Sequence, residues 1–524
     1  MNSEREVKLA APPAFRLPDL AGALEGFDSV ETEPRRFQTV YVDTADLRVA
    51  RWGCSIRHRQ GQGWTVKLPT EANGNGRVLI RGEHLIAGAA RQVPGEASDL
   101  LQAFVRGAEL RPVVRLRTLR RRLELRDADG RAVGEIVDDE VSVMDGARVA
   151  GRFRELEVEV NDSVPDGVLR TLVAELRARG AGAVDNTPKY LRALGSLADR
   201  PPEVVVATIG PGASVIDVVR AAIAASVTRL MRHDPGVRSG GDPEDVHQAR
   251  VATRRLRSDL RSFRELLDPG WVDRLRDELG WLGAALGAVR DADVLMDRLQ
   301  ARARELPDRD AATAERLLGR LPARREEART ALLTAMRSSR YLELLDRLVA
   351  AASEPVPGPE DAAEPIVRPG GAEDSVRRPG SPHGSIDASG SDSVLVLASV
   401  MRAPWGHLRD ALDALGPDAS DAELHAARIR AKRVRYAAEA VAPVFGKRAR
   451  AFARAAMDLQ SVLGEHQDSV VASAWLREVA GGGARSAFVA GELASMERRA
   501  AAEARSAWPD AWKALARKRL RFWT

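Results

Sequence analysis

The stretch VHQARVATRRLRSDLRSF, residues 246–263, carries a basic face at helical spacing. At 100° per residue its histidine and four of its arginines fall on one side of a helix, and its apolar side chains fall opposite. A second stretch, LHAARIRAKRVRYAAE at 424–439, repeats this layout. The matched positions are His247, Arg250, Arg254, Arg255 and Arg257 in the first copy, and His425, Arg428, Lys432, Arg433 and Arg435 in the second. The two stretches predict a pair of equivalent helices.

A second motif follows each of these stretches. LGAVRD at 286–291 corresponds to LGEHQD at 463–468, with Gln467 where the first copy has Arg290. Two motifs that recur in the same order and at nearly the same spacing indicate an internal duplication of helices. The same His/Arg/Lys layout in both copies favours a pseudo-symmetric anion site, although a single basic helix face is more often a solvated surface.

The two copies are separated by a segment of different composition. Residues 353–393 contain 7 Pro, 6 Gly and 7 Ser in 41 positions and no aromatic residue. Such a segment cannot bury enough apolar surface to offset the entropy cost of ordering, so we predict a disordered insert at 353–393.

Residues 1 to about 195 alternate as strands do, with charged side chains on one face. The face of one strand carries only glutamates, another mixes glutamates with a lysine, and others carry arginine or lysine. The charged positions are Glu4, Glu6, Lys8, Arg57, Arg59, Lys67, Arg115, Arg117, Glu155, Glu157 and Glu159. A solvated sheet face explains any one of these strands. Together they suit a metal–triphosphate site, because carboxylates hold hard divalent cations and basic side chains neutralise phosphate oxygens.

Bulk properties limit the function classes. The chain has 524 residues, 44% of them hydrophobic and 30% charged, with a formal net charge of +5. This is typical of a globular protein of two or three domains. Cys54 is the only cysteine, which excludes an intrachain disulfide and favours a reducing compartment. We see neither a signal segment nor a membrane span, so we expect a cytoplasmic protein with no membrane partner.

The strand motifs carry a family resemblance. Glu4-x-Glu6-x-Lys8 resembles the signature strand of the CYTH superfamily, the triphosphate tunnel metalloenzymes. The family order continues through YVDTADLRVARWGCSIRHR (41–59), WTVKL (64–68), Glu83, the Arg115/Arg117 strand, VGEIVDDEV (133–141), ELEVEV (155–160) and TPKY (187–190). The resemblance covers essentially all of residues 1–195. It implies an eight-stranded antiparallel β-tunnel that binds tripolyphosphate or a nucleotide triphosphate with Mg²⁺ or Mn²⁺.

The resemblance also implies residue roles. Metal ligands would be Glu4 and Glu6 with two of Glu155, Glu157 and Glu159, and the catalytic set would be Glu4, Glu6, Lys8 and Glu157. Phosphates would be held by Lys8, Arg57, Arg59, Lys67, Arg115, Arg117 and Lys189, with the choice of arginines within 115–122 left open. Glu135 and Asp138 are candidates for orienting water.

The repeated helices resemble those of the CHAD domain, a helical domain named for its conserved histidine. The two basic stretches and the two LG-containing motifs match its signature helices over about 213–524. The resemblance implies an all-α domain of two four-helix halves that binds inorganic polyphosphate through the ten basic and histidine positions of the two copies. It adds a possible association with polyphosphate granules to the expected cytoplasmic location.

These inferences predict an α+β chain of two domains: a CYTH tunnel at 1–197, a linker at 198–212, and a CHAD domain at 213–524. The predicted function is metal-dependent hydrolysis of inorganic triphosphate or a related triphosphate, together with polyphosphate binding. Three alternatives stay open at this stage: a polyphosphate-binding or targeting protein without turnover, adenylate cyclase or thiamine triphosphatase activity, and nucleic-acid binding. The last is disfavoured because the basic helices have few aromatic residues for base stacking.

Overall fold

The computed structural model describes residues 4–18, 26–69, 81–161, 164–358, 390–416 and 418–524. The chain divides into two compact units, Met1–Glu203 and Val204–Thr524. The division falls inside the linker predicted at 198–212.

The N-terminal unit is built on one antiparallel sheet of eight strands. The strands are β1 (Glu4–Ala10), β2 (Phe27–Asp43), β3 (Ser55–Arg59), β4 (Gly63–Pro69), β5 (Arg81–Ile86), β6 (Arg111–Asp127), β7 (Ala132–Asp145) and β8 (Arg148–Asn161). Their order in the sheet is β1-β8-β7-β6-β2-β3-β4-β5. Side chains of the two end strands, β1 and β5, line one cavity, so the sheet is curled. The predicted eight-stranded antiparallel architecture is confirmed.

Five short helices pack against this sheet. They are α1 (Arg48–Arg51), α2 (Gly95–Leu100), α3 (Gln102–Val105), α4 (Asp166–Ala178) and α5 (Lys189–Leu194), followed by a 3-10 turn at Gly195–Asp199. Leu172 of α4 packs with Leu156 and Val158 of β8 on the outer face of the sheet. Each such buried side chain contributes about 1.5–3 kcal/mol. Because side chains alternate along β8, this outer layer directs its glutamates to the concave face.

The regular secondary structure of the C-terminal unit is all helical in its described residues, as predicted. Its helices are α6 (Val215–Ser239), α7 (Pro243–Ser262), α8 (Pro269–Ala303), α9 (Asp308–Leu318), α10 (Leu321–Met336), α11 (Ser339–Ser353), α12 (Gly390–Ser399), α13 (Arg402–Asp413), α14 (Asp421–Phe445), α15 (Lys447–Val479) and α16 (Ala484–Leu515), with 3-10 turns at Arg264–Leu266 and Lys518–Leu520. The basic helix α7 packs between α6 and α8, and its counterpart α14 packs between α13 and α15. Helices α7 and α14 also contact each other, which brings the two copies of the motif together. No helix among the described residues is long and apolar enough to cross a membrane.

The predicted bounds of the disordered insert, 353–393, include ordered residues at both ends. The backbone N–H of Asp268 donates to the carbonyl of Val356 at 3.0 Å, and that of Gly358 donates to the carbonyl of Leu266 at 3.3 Å. On the other side, α12 begins at Gly390, and Ser393 is buried. These backbone hydrogen bonds and this burial hold both flanks on the helical unit; residues 359–389 lie outside the described residues.

A pair of deletions tests the insert and its two ordered flanks. Replacing residues 360–388 by a short Gly/Ser linker should leave the melting temperature and polyphosphate affinity nearly unchanged, because a segment of this composition has little apolar surface to contribute to a core. Extending the deletion to 354–392 removes the flank at Val356 to Gly358 and the start of α12, and should lower the melting temperature by several degrees. Differential scanning calorimetry of both variants decides the question. Equal melting temperatures for the two deletions would contradict the role given to the flanks.

Candidate functional site

Three glutamates meet on the concave face of the sheet. In the β1–β8 register Glu6 lies opposite Glu159, and Lys8 lies opposite Glu157. One carboxylate oxygen from each of Glu6, Glu157 and Glu159 lies within 4.8 Å of the others. Several carboxylates at this spacing form a donor set that suits a hard divalent cation. Glu4 begins the same strand, but its side chain lies outside the part of the chain that the structure describes.

Glu155 occupies a different position from its two in-phase neighbours. It is fully buried, and its carboxylate lies 2.9 Å from Lys189 Nζ and 3.4 Å from Arg192 Nη1. Lys189 Nζ also contacts Asp139 Oδ2 at 2.8 Å and Glu157 Oε1 at 2.8 Å. Burial alone would lower the pKa of Lys189, but these carboxylates raise it. The structure therefore separates the acids predicted to bind metal: Glu6, Glu157 and Glu159 converge, while Glu155 is engaged by basic side chains.

The protonation of the converging glutamates differs. Burial opposes ionisation of Glu157, but Lys189, Lys8 and Arg120 outweigh it and hold the pKa of Glu157 well below its usual range. Burial, with repulsion from Glu157, Glu6 and Glu135, raises the pKa of Glu159 to about 7. A carboxyl group crowded by other carboxylates is relieved when a cation joins the cluster, so the electrostatics also fit a metal ion.

Basic side chains face these acids across a cavity of about 400 Å³. Arg57 Nη2 lies 3.5 Å and Lys67 Nζ 3.2 Å from Glu83, and Arg59 Nη1 donates to Gln62 at 3.0 Å. Burial, together with the adjacent Arg57 and Arg120, lowers the pKa of Arg59 to about 10. The cavity lining contains six basic and four acidic side chains, so it favours an anion. Lys8, Arg57, Arg59, Lys67 and Lys189 of the predicted phosphate set all line it.

The arginines predicted on β6 require a correction. Arg115 and Arg117 are exposed and do not line the cavity; Arg120 lines it instead. Arg120 donates two hydrogen bonds to Asp139, at 2.9 and 2.7 Å. The reason lies in the concave face at the start of β6, which is apolar: Val114 and Leu116 pack there in a core cluster with Tyr41 and Tyr190. Arg115 and Arg117, which alternate with these apolar residues, therefore point outward.

A second correction concerns β7. Asp138 is fully buried on the face opposite Asp139, where Arg154 donates to it at 2.7 and 2.6 Å, so it cannot orient water in the cavity. Glu135 is on the concave side and accepts from Arg122 at 3.0 Å. Asp139, which our interpretation of the sequence missed, is the acid of β7 that supports the cavity residues. Strict alternation from Glu135 would have selected it, because 135 and 139 share a face whereas 138 does not.

Both copies of the helical motif line one larger cavity, of about 900 Å³. Its lining includes eleven arginines and lysines but only two aspartates, Asp291 and Asp468. From the predicted set it contains His247, Arg250, Arg254, Arg257, His425, Arg428, Lys432 and Arg433. The structure adds Arg290, Arg298 and Arg324 from α8 and α10, and Arg261 and Arg276 at one end. This is the most strongly basic surface in the described cavities.

The LG-containing motif of each copy lies beside an arginine of the preceding basic helix. A Cβ at Gly287 would lie 3.8 Å from the guanidinium of Arg250, and one at Gly464 would lie 3.4 Å from that of Arg428, both within van der Waals contact. The aspartate of each motif then orients the same arginine: Asp291 lies 2.9 Å from Arg250 Nη1, and Asp468 lies 3.6 Å from Arg428 Nη2. Each copy of the motif therefore pairs an aspartate with an arginine that lines the cavity.

The crowding of like charge changes the protonation of this cavity. Burial, followed by repulsion from Arg254, Arg428 and Arg250, lowers the pKa of Lys432 to about 7. Burial and Arg290 lower the pKa of His247. A bound polyanion would favour the charged form of each group, so the cavity is electrostatically prepared for an anion.

Two predicted members of the basic set do not line the cavity. Arg255 Nη1 lies 2.5 Å from Glu439 Oε2, and Arg435 Nε lies 3.4 Å from Glu439 Oε1. Arg435 also stacks over Tyr436, with its Cζ 4.6 Å from the ring centroid. Glu439 draws both guanidinium groups away from the basic surface, so the structure removes Arg255 and Arg435 from the candidate polyphosphate contacts.

Family models match both units: CYTH at residues 2–191 and CHAD at 221–477. Uncharacterized proteins from two strains of Mycobacterium tuberculosis are 33% identical over 476 residues, which cover 84% of this chain and 82% of theirs. The chain belongs to the CYTH–CHAD family. The predicted order of its two domains is confirmed.

Solved structures resemble each part of this CYTH–CHAD chain. PptA from Streptomyces chartreusis is 23% identical and covers 57% of this chain and 100% of its own, with a TM-score of 0.44. The CHAD domain from the plant Ricinus communis is 24% identical, covering 60% of this chain and 95% of its own, with a TM-score of 0.45. HpAC1 from Hippeastrum, a putative adenylyl cyclase described as having a dominant triphosphatase activity, is 16% identical, covering 37% of this chain and 95% of its own, with a TM-score of 0.24.

Proposed function

We propose that the CYTH unit hydrolyses inorganic tripolyphosphate with the help of a divalent cation, Mg²⁺ or Mn²⁺. The observation that carries the proposal is the meeting of Glu6, Glu157 and Glu159 within 4.8 Å, opposite basic side chains that line the same cavity. The three carboxylates would hold the cation, which would neutralise phosphate charge and assist phosphoryl transfer. Phosphate release with and without divalent cation tests the proposal.

The ion pairs of the cavity indicate how substrate is held. Lys8 contacts Glu6 at 2.7 Å and also contacts Glu157. If the carboxylates held a cation, Lys8 would be free to contact a phosphate oxygen. Bound triphosphate would likewise replace Glu83 as the partner of Arg57 and Lys67. Charge-assisted hydrogen bonds from these side chains and Arg120 would orient the phosphates in line for attack. Lys189, surrounded by three carboxylates, acts in this proposal as a positioning residue for Glu157.

The lining favours an inorganic triphosphate over a nucleotide. Among the described residues that line the cavity, the aromatic rings are Tyr41 and Tyr190, which are buried and stacked with centroids 5.3 Å apart. Neither presents a free face to a base or a thiazole ring, and stacking of that kind contributes about 1–3 kcal/mol per base in nucleic-acid complexes. We therefore place tripolyphosphate ahead of ATP and thiamine triphosphate as substrate.

We propose that the CHAD unit binds inorganic polyphosphate in the 900 Å³ cavity shared by the two repeats. The observation that supports this proposal is the charge of the lining: eleven arginine and lysine side chains and two aspartates, with basic residues from both copies. Nucleic acid is disfavoured because base stacking needs exposed aromatic rings. Among the lining residues that the structure describes, Tyr436 alone is a phenylalanine, tyrosine or tryptophan, and it is buried. A linear chain of phosphates without bases matches a basic cavity of this kind. A salt-titrated binding assay with polyphosphate and DNA tests the proposal.

The pKa of Lys432, about 7, predicts a pH dependence of polyphosphate binding. Bound phosphate favours the ammonium form, so binding takes up a proton whenever free Lys432 is neutral. Affinity should therefore fall as pH rises above 7, by at most about tenfold per pH unit for one proton. Titrations between pH 6 and 8.5 measure it. Lys432→Arg should remove most of the decline, because arginine stays charged in this range. An identical decline in Lys432→Arg would contradict this assignment.

A further inference from the structure

The two repeats of the CHAD unit are not equivalent at their ends. At the offset of 178 that relates the basic helices, Arg255 corresponds to Arg433, and Arg261 corresponds to Glu439. One end of the α7–α14 contact is therefore an ion pair, with Arg255 2.5 Å from Glu439. The pseudo-symmetric end places two arginines, Arg261 and Arg433, where the first end has opposite charges.

The Arg–Arg end opens into a second cavity. Arg261 and Arg433 line the main basic cavity and also a neighbouring one of about 420 Å³, which is completed by Arg430 of α14 and by His407 and Asp410 of α13. The two cavities are thus adjacent and share these two arginines. The Arg255–Glu439 end has no such extension among the described cavities.

The charges of this second cavity are not balanced. Burial lowers the pKa of Arg433, and so do Arg261, Arg430 and Arg276, in that order. Among the described residues, Arg261, Arg430 and Arg433 form no ion pair. Asp410, the acid in the lining, pairs with Arg409 at 2.8 Å. Like charges that line one cavity repel each other, and Arg430 and Arg433 are also i, i+3 neighbours on one helix. Such a cluster is stabilised by a bound anion.

We propose that the Arg261–Arg433 end is an accessory phosphate subsite, through which a long polyphosphate chain leaves the main cavity at one end only. The guanidinium groups of Arg261, Arg430 and Arg433 would contact phosphates beyond those held by His247, Arg250, Arg254 and Lys432. Glu439, paired with Arg255 and Arg435, closes the opposite end to anions. This subsite rests on the proposed polyphosphate binding and gives that site a direction and a preference for long chains.

The test is a charge swap in the full chain. Arg261→Glu places a glutamate at the Arg261–Arg433 end, as Glu439 stands at the opposite end. This change should weaken the affinity for long-chain polyphosphate at least about tenfold and reduce the salt dependence of binding. Arg261→Lys should retain most of the affinity. Glu439→Arg should strengthen binding, because it opens the second end. Arg499→Glu is the matched control: this exposed arginine of α16 lines neither cavity.

The outcomes separate this subsite from the parent proposal. If the wild-type chain binds no polyphosphate, polyphosphate binding itself fails. If wild type binds and Arg254→Glu weakens binding, but Arg261→Glu behaves like Arg499→Glu, the main cavity stands and the accessory subsite is refuted. Circular dichroism spectra show whether each variant is folded, and an unfolded Arg261→Glu leaves Arg430→Glu, at the outer part of the same cavity, to decide.

Discussion

Glu6→Gln is expected to lower metal-dependent hydrolysis of tripolyphosphate by at least about 100-fold, because it removes one carboxylate ligand from the Glu6–Glu157–Glu159 cluster. The isosteric amide keeps the size of the side chain, and Glu6 is only partly buried, so the melting temperature should stay nearly constant. Added Mg²⁺ or Mn²⁺ should restore part of the rate. Steady-state phosphate release across a range of cation concentrations measures both effects.

The matched control for this substitution is Glu31→Gln. Glu31 is an exposed residue of β2 that does not line the cavity, so the same chemical change there should leave turnover unaffected. Turnover of Glu6→Gln equal to that of Glu31→Gln would remove the carboxylate cluster from the mechanism.

Arg254→Glu combined with Lys432→Glu is expected to reduce polyphosphate affinity by at least about 100-fold, with each single reversal costing about tenfold or more. The two residues are pseudo-equivalent and line one cavity, so a polyanion contacts both, and each reversal both removes a contact and adds repulsion. The dependence of log affinity on log salt should also become shallower, by analogy with nucleic acids.

A double reversal of Arg498 and Arg499 to Glu provides the control for net charge. Both are exposed residues of α16 and line neither cavity of the CHAD unit. The comparison is made in one buffer with polyphosphate as ligand and DNA as competitor. DNA that competes as well as polyphosphate, or a control that loses as much affinity as Arg254→Glu with Lys432→Glu, would favour a nucleic-acid-binding surface.

The sequence predicted the charged faces wherever a strand keeps one environment on each side. In β8 the glutamates at 155, 157 and 159 alternate with Leu156 and Val158, which are buried under α4. The alternation therefore predicted correctly that the glutamates share the other face. In β6 the environment changes along the strand. Val114 and Leu116 face inward against Tyr41, whereas Leu123 and Leu125 face outward. Arginines occur at both odd and even positions of residues 115–122, so alternation along the strand could not show which of them face the cavity. The structure shows that Arg120 lines it and that Arg115 and Arg117 do not.

The helical motifs were predictable for a different reason. Duplication provided two observations of each position, which fixed the basic face of α7 and α14 from the sequence. Duplication could not reveal where the copies diverge in space. Arg255 belongs to the repeated pattern, but its partner Glu439 lies on the other copy, 184 positions along the chain. The contact of the two motif glycines with Arg250 and Arg428 was also hidden, because these arginines approach from neighbouring helices.

Initial rates of phosphate release by the wild-type chain from tripolyphosphate, ATP and thiamine triphosphate, each with Mg²⁺, with Mn²⁺ and with a chelator, test the central claim most directly. The cluster of Glu6, Glu157 and Glu159 opposite basic side chains predicts release that requires a divalent cation, and the absence of a free aromatic face in the described lining predicts the fastest release from tripolyphosphate. Equal rates with and without chelator, or no release from any of the three compounds with either cation, would contradict it.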